Sequence, residues 1–287
     1  MRMPPQNLTD PNAATVAFEI TRFDACDSTN RQLLAAAESG APAGSVFVAR
    51  TQTAGRGRRG RTWVAEPGAT LTFSLLWAFP VDAAALSGLP LAVGVAMIRG
   101  LTNPALGGLR TGYQLGLKWP NDLLLRLPDG SDAKAGGMLI ESVLRRSTTG
   151  SREMAVVIGI GLNCLPSPSI KDQVPDQSVA ALAEGYADAA ALAPETLLPV
   201  LLDALRETLL EFSAQGFAGL RDEWLAAHLW QGEAIRVLEA GQITLEGELR
   251  GVDLDGALLV ATPSGFERVV TGDVSLRRRS TVQGIVA

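Results

Sequence analysis

The fold prediction starts from Gly55-Arg56-Gly57-Arg58-Arg59-Gly60-Arg61-Thr62-Trp63. Its first seven residues hold four arginines and three glycines, so the stretch suits neither a stable helix nor a core strand. Apolar, strand-like segments lie on both sides, at 45–49 and 70–76. We therefore expect a loop between two strands of a sheet, and loops held on a rigid sheet commonly carry function.

The composition of this loop predicts a site for an anion. Glycines let the backbone approach a ligand closely, and guanidinium groups match the oxygens of carboxylates and phosphates. An Arg/Gly run is also typical of nucleic-acid-binding segments, so a non-catalytic nucleic-acid-binding module remains an alternative. The formal net charge of −5 counts against that alternative.

Length and composition indicate an ordinary globular protein. The 287 residues can form one large domain with a small companion, and 47% of them are hydrophobic. Cys26 and Cys164 fit neither a disulfide framework nor a metal-ligand spacing, which favours a reducing cytoplasm. No signal sequence opens the chain and no apolar run reaches the roughly 18 residues of a membrane span, so we expect no membrane association.

Hydrophobic periodicity changes near residue 230, from alternating strands and helices to short strands joined by turns. We expect an N-terminal extension at 1–13, a large α/β domain at 14–230 and a small β domain at 231–287. Strands are predicted at 16–23, 45–50, 70–79, 115–125 (a pair), 134–143, 155–163, 234–238, 243–251, 257–261 and 266–271. Helices are predicted at 31–37, 87–102, 178–185, 194–214 and 217–229.

Several residues outside the loop are also candidates for a site. Ser28 and Thr29 precede a predicted helix, where they either cap its first turn or help to bind an anion. Lys118 lies between apolar strand segments, so it needs a partner, and it is a candidate for a phosphate or carboxylate contact. Glycines inside strands mark places where a ligand or another backbone comes close, and they occur at Gly136, Gly137, Gly159 and Gly161.

Some familiar chemistries have little support. His228 is the only histidine and lies on a predicted helix, which argues against Ser-His-Asp catalysis and histidine metal sites. Gly159-Ile160-Gly161 is not a dinucleotide fingerprint, because Cys164 stands where the third glycine belongs. No Walker-type loop ending in Gly-Lys-Ser/Thr occurs, so any nucleotide must be held differently.

In combination these motifs resemble the biotin protein ligases. The resemblance covers about residues 16–280 and includes a C-terminal Gly272-Asp273-Val274-Ser275-Leu276-Arg277. Each motif alone is weak, but their order and approximate spacing are specific. The motifs are Ser28-Thr29-Asn30, the stretch from Gln52 to Trp63, Lys118-Trp119-Pro120-Asn121-Asp122, Lys134 with Gly136-Gly137, and the stretch from Gly159 to Asn163.

The resemblance implies a two-step ligase. Biotin and ATP, with Mg²⁺, form biotinyl-5′-adenylate and pyrophosphate, and a lysine amine of a biotin carboxyl carrier protein or carboxylase domain then attacks the adenylate. It also implies a mixed α/β sheet like that of class II aminoacyl-tRNA synthetases, followed by a small SH3-like β-barrel. Homodimers are frequent in the family, so a homodimer can be expected.

Residue roles follow from the resemblance motif by motif. Lys118 resembles the lysine that bridges the carboxylate and the α-phosphate, and Arg56 and Arg58 are expected to face these anions as further catalytic groups. Biotin binding is implied for Ser28, Thr29, Asn30, Gln52, Gly55, Arg56, Gly57, Arg58, Trp63, Lys118, Gly137, Gly159 and Gly161. ATP binding is implied for Arg58, Arg59, Arg61, Trp63, Asn121, Lys134 and Asn163, and Gly136 is expected to let the backbone approach the ligand.

The sequence departs from the family pattern in three places. The motifs begin at Ser28, which leaves no room for the DNA-binding domain of many members, so we expect a monofunctional ligase that does not bind DNA. The loop at 128–132 looks longer than usual, and Gly137 stands where a larger apolar residue is common. A lipoate or octanoate ligase or transferase, which shares the catalytic fold, is the nearest alternative.

Overall fold

The computed structural model describes residues 16–80, 86–146, 150, 152–174, 177–270 and 274–279. The predicted extension at 1–13 and the Gly272-Asp273 part of the C-terminal motif lie outside these residues. Among the described helices, none is both long and apolar enough to cross a membrane.

A seven-stranded mixed sheet forms the larger part of the fold. Its strand order is β1-β2-β3-β7-β6-β5-β4, in which β1 and β2 run parallel and all other neighbours are antiparallel. The mixed sheet confirms the predicted fold class. The strands are β1 (Glu19–Cys26), β2 (Ser45–Gln52), β3 (Thr70–Phe79), β4 (Gln114–Lys118), β5 (Asp122–Arg126), β6 (Asp132–Arg146) and β7 (Arg152–Asn163).

The central strands β3 and β7 are buried because helices cover both faces of the sheet. Helix α1 (Thr29–Glu38) packs on one face, where Leu33 and Ala37 meet Leu76 and Val157. Helices α2 (Leu89–Leu101) and α5 (Pro194–Gln215) form the layer on the other face, and they contain the largest share of the core. Burial on both faces explains the nearly continuous apolar sequence of these strands.

Three predictions of local structure were wrong. The first strand begins at Glu19 instead of residue 16, and as an edge strand it is mostly exposed, so its sequence alternates weakly. The predicted helix at 178–185 is reduced to α4 (Leu182–Gly185), because residues 178–180 pair with the backbone of Lys134. The predicted helix at 217–229 is divided into a 3₁₀ turn and α6 (Arg221–Ala227).

The connector predicted at 165–176 contains a short helix, α3 (Pro168–Gln173). Pro168 occupies its first position, where proline is favoured because its fixed φ suits a helix and its missing N–H is not needed.

A five-stranded antiparallel sheet follows α6, with strand order β11-β10-β9-β8-β12. Its last strand, β12, is not among the predicted strands and coincides with the end of the C-terminal motif. The sheet contacts the larger unit through hydrogen bonds: Trp119 Nε1 donates to Gly256 O at 3.0 Å, and Arg221 Nε donates to Val252 O at 2.8 Å. The antiparallel sheet is consistent with the expected SH3-like module. Its strands are β8 (Ala234–Glu239), β9 (Gln242–Val252), β10 (Leu258–Thr262), β11 (Gly265–Val269) and β12 (Val274–Arg278).

Candidate active site

The arginine-rich loop folds back on itself between β2 and β3. Trp63 N donates to Gly55 O at 3.0 Å and Gly57 N donates to Arg61 O at 2.7 Å, so its two arms are held together. Arg59 lies at the tip with φ of 60°, a left-handed conformation that non-glycine residues adopt rarely. The loop is therefore a hairpin-like flap that lies against the sheet.

The flap covers a cleft, here called the inner cleft, between α1, the tip of β5 and the strands β6 and β7. Most residues predicted to bind ligands line it. Four of the predicted residues do not line this cleft: Gly55, Arg59, Gly136 and Lys118. The predicted residues that do are Ser28, Thr29, Asn30, Gln52, Arg56, Gly57, Arg58, Arg61, Trp63, Asn121, Lys134, Gly137, Gly159, Gly161 and Asn163.

A polar network closes one end of the inner cleft at the N-terminus of α1. Thr29 N donates to Gln52 Oε1 at 2.8 Å, and Ser74 Oγ, which sequence reasoning missed, donates to Asn30 Oδ1 at 2.6 Å. The Asn30 amide also donates to Leu139 O and to Glu141 Oε2, so this buried side chain finds its partners within the protein. Ser28 occupies the N-cap position without a side-chain cap bond, which leaves its hydroxyl for another partner.

The strand glycines of the cleft make room mainly for protein side chains. A Cβ at Gly159 would overlap the amide of Asn30, and a Cβ at Gly161 would overlap the ring of Trp63. At Gly136 the added atom would strike Leu162, which explains why this glycine lies outside the cleft lining. These glycines thus leave room for Asn30 and Trp63, which line the cleft. The direct approach of a ligand to the glycine backbone remains a prediction.

A second cavity, here called the outer cavity, adjoins the inner cleft. It is lined by Lys118, Asp122, Trp230, Arg277 and their neighbours, and its volume is about 600 Å³ against about 100 Å³ for the inner cleft. Seven residues line both spaces, so the two are adjacent. They are Arg58, Arg61, Thr62, Asn121, Lys134, Val174 and Gln177.

The junction of the two spaces holds a cluster of charges. Lys134 Nζ lies 2.6 Å from Asp122 Oδ1, and Lys118 Nζ lies 3.4 Å from Asp122 Oδ2. Burial alone would raise the pKa of Asp122, but the adjacent charges of Lys134 and Lys118 lower it to about 2. Burial lowers the pKa of Lys118, and the charge of Asp122 offsets part of that shift. Asp122 is therefore an anion that holds two ammonium groups in place.

Lys118 lines the outer cavity and not the inner cleft. Its ammonium lies over the Trp230 ring, 4.9 Å from the ring centroid, and its expected contact with biotin remains a prediction. Lys134, expected only on the ATP side, lines both spaces. The backbone of Lys134 is fixed on both sides, because its N–H donates to Ser178 O at 2.8 Å and its carbonyl accepts from Ala180 N at 3.1 Å.

Sequence reasoning also missed Glu141, Trp230 and the role of Asp122. Asp122 could have been found, because Lys118 was known to need a partner and Asp122 lies four residues beyond it. Glu141 gave no such signal, since its partners Asn30 and Arg56 are distant in sequence. Trp230 brings its indole to the outer cavity from beyond α6, and its Nε1 donates to Asp132 Oδ2 at 2.7 Å.

Trp63 carries a buried indole N–H that has no hydrogen-bond partner among the residues that the structure describes. Its ring lies against Gly161 and 5.9 Å from Lys134 Nζ. A buried donor of this kind is costly unless an acceptor reaches it, so the geometry suits a ligand with an acceptor atom at this wall of the cleft.

His228 is structural, as expected. Its Nε2 accepts from Trp119 N at 3.3 Å, and its ring stacks on Trp224. Burial, together with the charge of Lys118, lowers its pKa to about 3, so the ring is neutral at ordinary pH. It anchors the turn that carries Lys118 and Asp122.

Two family models match parts of this chain. Residues 23–163 match the biotin/lipoate A/B protein ligase family, and residues 232–277 match the biotin protein ligase C-terminal domain. The biotin--[acetyl-CoA-carboxylase] ligase of Paracoccus denitrificans is 33% identical over 251 residues, which cover 86% of this chain and 96% of that protein. The bifunctional ligase/repressor BirA of Escherichia coli is 32% identical, with 88% of this chain and 72% of that protein covered.

Solved structures lead to the same group. The Aquifex aeolicus biotin protein ligase in complex with biotin and ATP superposes with a TM-score of 0.67 at 26% identity, covering 91% of this chain and 99% of that one.

Proposed function

Because the chain belongs to the biotin protein ligases, we propose that its inner cleft holds biotin, that its outer cavity holds the nucleotide, and that Lys134 spans the two. The chain is an ATP-dependent biotin ligase. The nucleic-acid-binding alternative has no further support, since the arginine loop forms the flap of a ligand cleft.

The reaction takes place in two steps. A carboxylate oxygen of biotin attacks the α-phosphorus of ATP, the bond to the bridging oxygen breaks, and pyrophosphate leaves. The amine of a carrier lysine then attacks the acyl carbon, loses a proton, and AMP leaves. In both steps negative charges are brought together or develop at the reacting carboxylate and phosphate groups. Fixed cations near these groups can therefore accelerate both steps without a covalent enzyme intermediate.

The observation that carries the proposal is the position of Lys134. It lines both cavities, and Asp122 holds its ammonium group at the junction where the two substrates must meet. A cation there lowers the repulsion between a carboxylate and a phosphate. We therefore transfer to Lys134 the bridging role first expected of Lys118, and we place Lys118 beside the phosphates in the outer cavity.

Two arginines of the flap complete the cationic lining. Arg58 and Arg61 line both cavities, and Arg58 Nη1 donates to Asn121 Oδ1 at 3.3 Å. Since guanidinium groups bind phosphate oxygens well, we propose that both arginines retain the adenylate by holding its phosphate from the flap.

The polar end of the inner cleft suits the ureido ring of biotin. Such a ring offers one carbonyl acceptor and two N–H donors. Ser28, Thr29 and Gln52 supply hydroxyl and amide groups of both kinds at the N-terminus of α1. Met138, Leu139 and Ile160 give the cleft an apolar wall for the remainder of the molecule.

Mg²⁺ is proposed to enter on the phosphates of ATP. In the part of the chain that the structure describes, no group of three or more His, Cys, Asp or Glu side chains could hold a metal ion. Mg²⁺ often keeps several waters and substrate phosphates as ligands, so a dedicated protein site is not required. No step above depends on a protein ligand to the metal.

The acceptor is proposed to be a lysine on the carrier domain of a biotin-dependent carboxylase, since related ligases are named for acetyl-CoA carboxylase. We also propose a cytoplasmic location, where ATP is available; Cys26 and Cys164 are both free thiols. A homodimer remains a prediction that sedimentation velocity can test.

Pyrophosphate release from MgATP tests the first half-reaction. The purified chain is supplied with biotin, lipoate, octanoate or no acid. We expect release only with biotin. Release with lipoate or octanoate instead would assign the protein to another branch of its family, and no release with any acid would contradict the proposed activity.

A further inference from the structure

We infer that Glu141 is a positioning residue that holds the flap closed through Arg56, and that Arg56 does not contact the reacting anions. This inference rests on the proposed function, because it concerns the retention of biotin and its adenylate in the inner cleft. It gives Glu141 a role that no sequence motif suggested, and it revises the catalytic role expected of Arg56.

The contacts of Glu141 join three parts of the fold. Arg56 Nη1 lies 3.0 Å from Glu141 Oε1 and 3.3 Å from Glu141 Oε2. The Asn30 amide donates to Glu141 Oε2 at 3.0 Å. One carboxylate on β6 therefore contacts both the flap and the first turn of α1.

The contact with Asn30 links the flap to the polar end of the cleft. Asn30 lies over Gly159 and accepts from Ser74 Oγ, which is 2.8 Å from Thr29 Oγ1. Thr29 in turn binds Gln52. A change at Glu141 should thus affect the positions of the groups proposed to hold the ureido ring as well as the position of the flap.

Charge separates the role of Arg56 from that of Arg58. Asp122 is shared by Lys134 and Lys118, so net positive charge remains beside it, whereas Glu141 cancels the charge of Arg56. The Arg56 end of the cleft therefore offers an anion little net attraction. Arg56 and Glu141 neutralise each other, and neither lines the outer cavity. Arg58 and Lys134 line that cavity, where the phosphates are proposed to lie.

The test is a double-mutant cycle on retention of the adenylate. Glu141→Gln keeps an oxygen that can accept from Asn30 but removes the charge that attracts Arg56. For a charged hydrogen bond that is partly exposed, we expect dissociation of biotinyl-adenylate to be about three- to tenfold faster. The KM for ATP, and the adenylation rate at saturating biotin, should stay within about twofold, because the pair does not touch the reacting atoms.

Arg56→Gln should also speed dissociation of biotinyl-adenylate. Each single variant removes the same ion pair, so the double variant should dissociate no faster than either single variant. The side chain of Arg56 is 40% exposed, so Arg56→Gln should fold normally. It therefore tests the same ion pair even if Glu141→Gln has a folding defect. Glu246→Gln is the matched control. It removes an ion pair with Arg236 in the C-terminal sheet, where both side chains are 41% exposed, and it should leave retention unchanged.

The outcomes separate this inference from the proposed function. If wild-type protein forms no biotinyl-adenylate, the proposed function fails first. If wild-type protein forms it, and Glu141→Gln retains it as well as wild type, the inference is overturned. Slowed adenylation in Arg56→Gln at saturating biotin, with effects that multiply in the double variant, would also overturn it by placing Arg56 on the reacting anions.

Discussion

The ammonium of Lys134 lies 2.6 Å from the carboxylate of Asp122, and Lys134 lines both the inner cleft and the outer cavity. The same carboxylate lies 3.4 Å from Lys118, which lines the outer cavity, so one anion positions two cations. All three side chains are at most 15% exposed. The arrangement fixes the cations before substrates bind, which is how preorganised electrostatic catalysis lowers a barrier.

Asp122→Asn should damage both stability and activity. The amide has the same size but no charge, so two buried ammonium groups lose their counter-ion, and breaking such a buried cluster costs about 3–5 kcal/mol. Denaturant unfolding measures the loss. Asp203→Asn is the control, because Asp203 is 69% exposed and pairs only across one helical turn; equal stability of the two variants would contradict the role of Asp122.

Arg58→Ala should release the adenylate faster. Removing a guanidinium that holds a phosphate typically costs about 1.5–3 kcal/mol, or roughly ten- to a hundredfold in the dissociation rate. Arg59→Ala is a neighbouring control, because Arg59 lies at the tip of the flap and lines neither cavity. A chase with unlabelled biotin measures the rate, and an unchanged rate in Arg58→Ala would remove Arg58 from the phosphate site.

Gly159→Ala should weaken biotin binding, whereas Gly137→Ala should be tolerated better. At Gly159 the new methyl group would overlap the amide of Asn30, which is held on both sides; overpacking of this kind costs about 1–3 kcal/mol. At Gly137 the nearest atom, Lys134 Cε, would lie 3.3 Å from the methyl group, and a movement of a few tenths of an ångström relieves that contact without breaking the ion pair with Asp122. Calorimetry with biotin compares the two, and greater harm from Gly137→Ala would count against this packing argument.

His228 makes stability depend on pH below neutrality. Its pKa is about 3 in the fold and about 6.5 in an unfolded chain. Since the folded pKa is the lower one, the unfolded state binds the proton first, so stability is fully present above pH 6.5 and falls as pH drops towards 3. His228 is the only histidine in the chain, so its imidazole NMR signals are unambiguous. Protonation of the folded protein near pH 6 would contradict the buried, neutral ring.

Much of the fold could be predicted from local sequence. The strands at 45–50, 70–79 and 155–163 and the helix at 194–214 occur nearly where expected, because continuous apolar runs and helical periodicity report burial directly. The predicted helix at 178–185 failed for a different reason. Residues 178–180 bind the backbone of Lys134, which lies more than 40 residues earlier, and local propensity carries no information about such a contact.

The site was predicted as a set of residues, but their roles were not. Most of the predicted ligand-binding residues line one cleft, because the motifs that carry them end at the same place on the sheet. The proposed assignment of the bridging role to Lys134 instead of Lys118 could not be foreseen, since both lysines occur in strands near glycines or polar turns. Only the register of β5 against β6, which pairs Asp122 with Gly137, places Lys134 at the junction.

The most direct test compares single-turnover formation of biotinyl-adenylate in wild type, Lys134→Ala and Lys118→Ala at saturating biotin. We expect Lys134→Ala to slow the step by about 100-fold or more, as loss of a preorganised charge contact to the transition state does. Lys118→Ala should act mainly through a raised KM for ATP, with a smaller effect at saturation. Near-normal adenylation in Lys134→Ala, with severe loss in Lys118→Ala at saturating ATP, would contradict the assignment of Lys134 as the cation that spans both substrates.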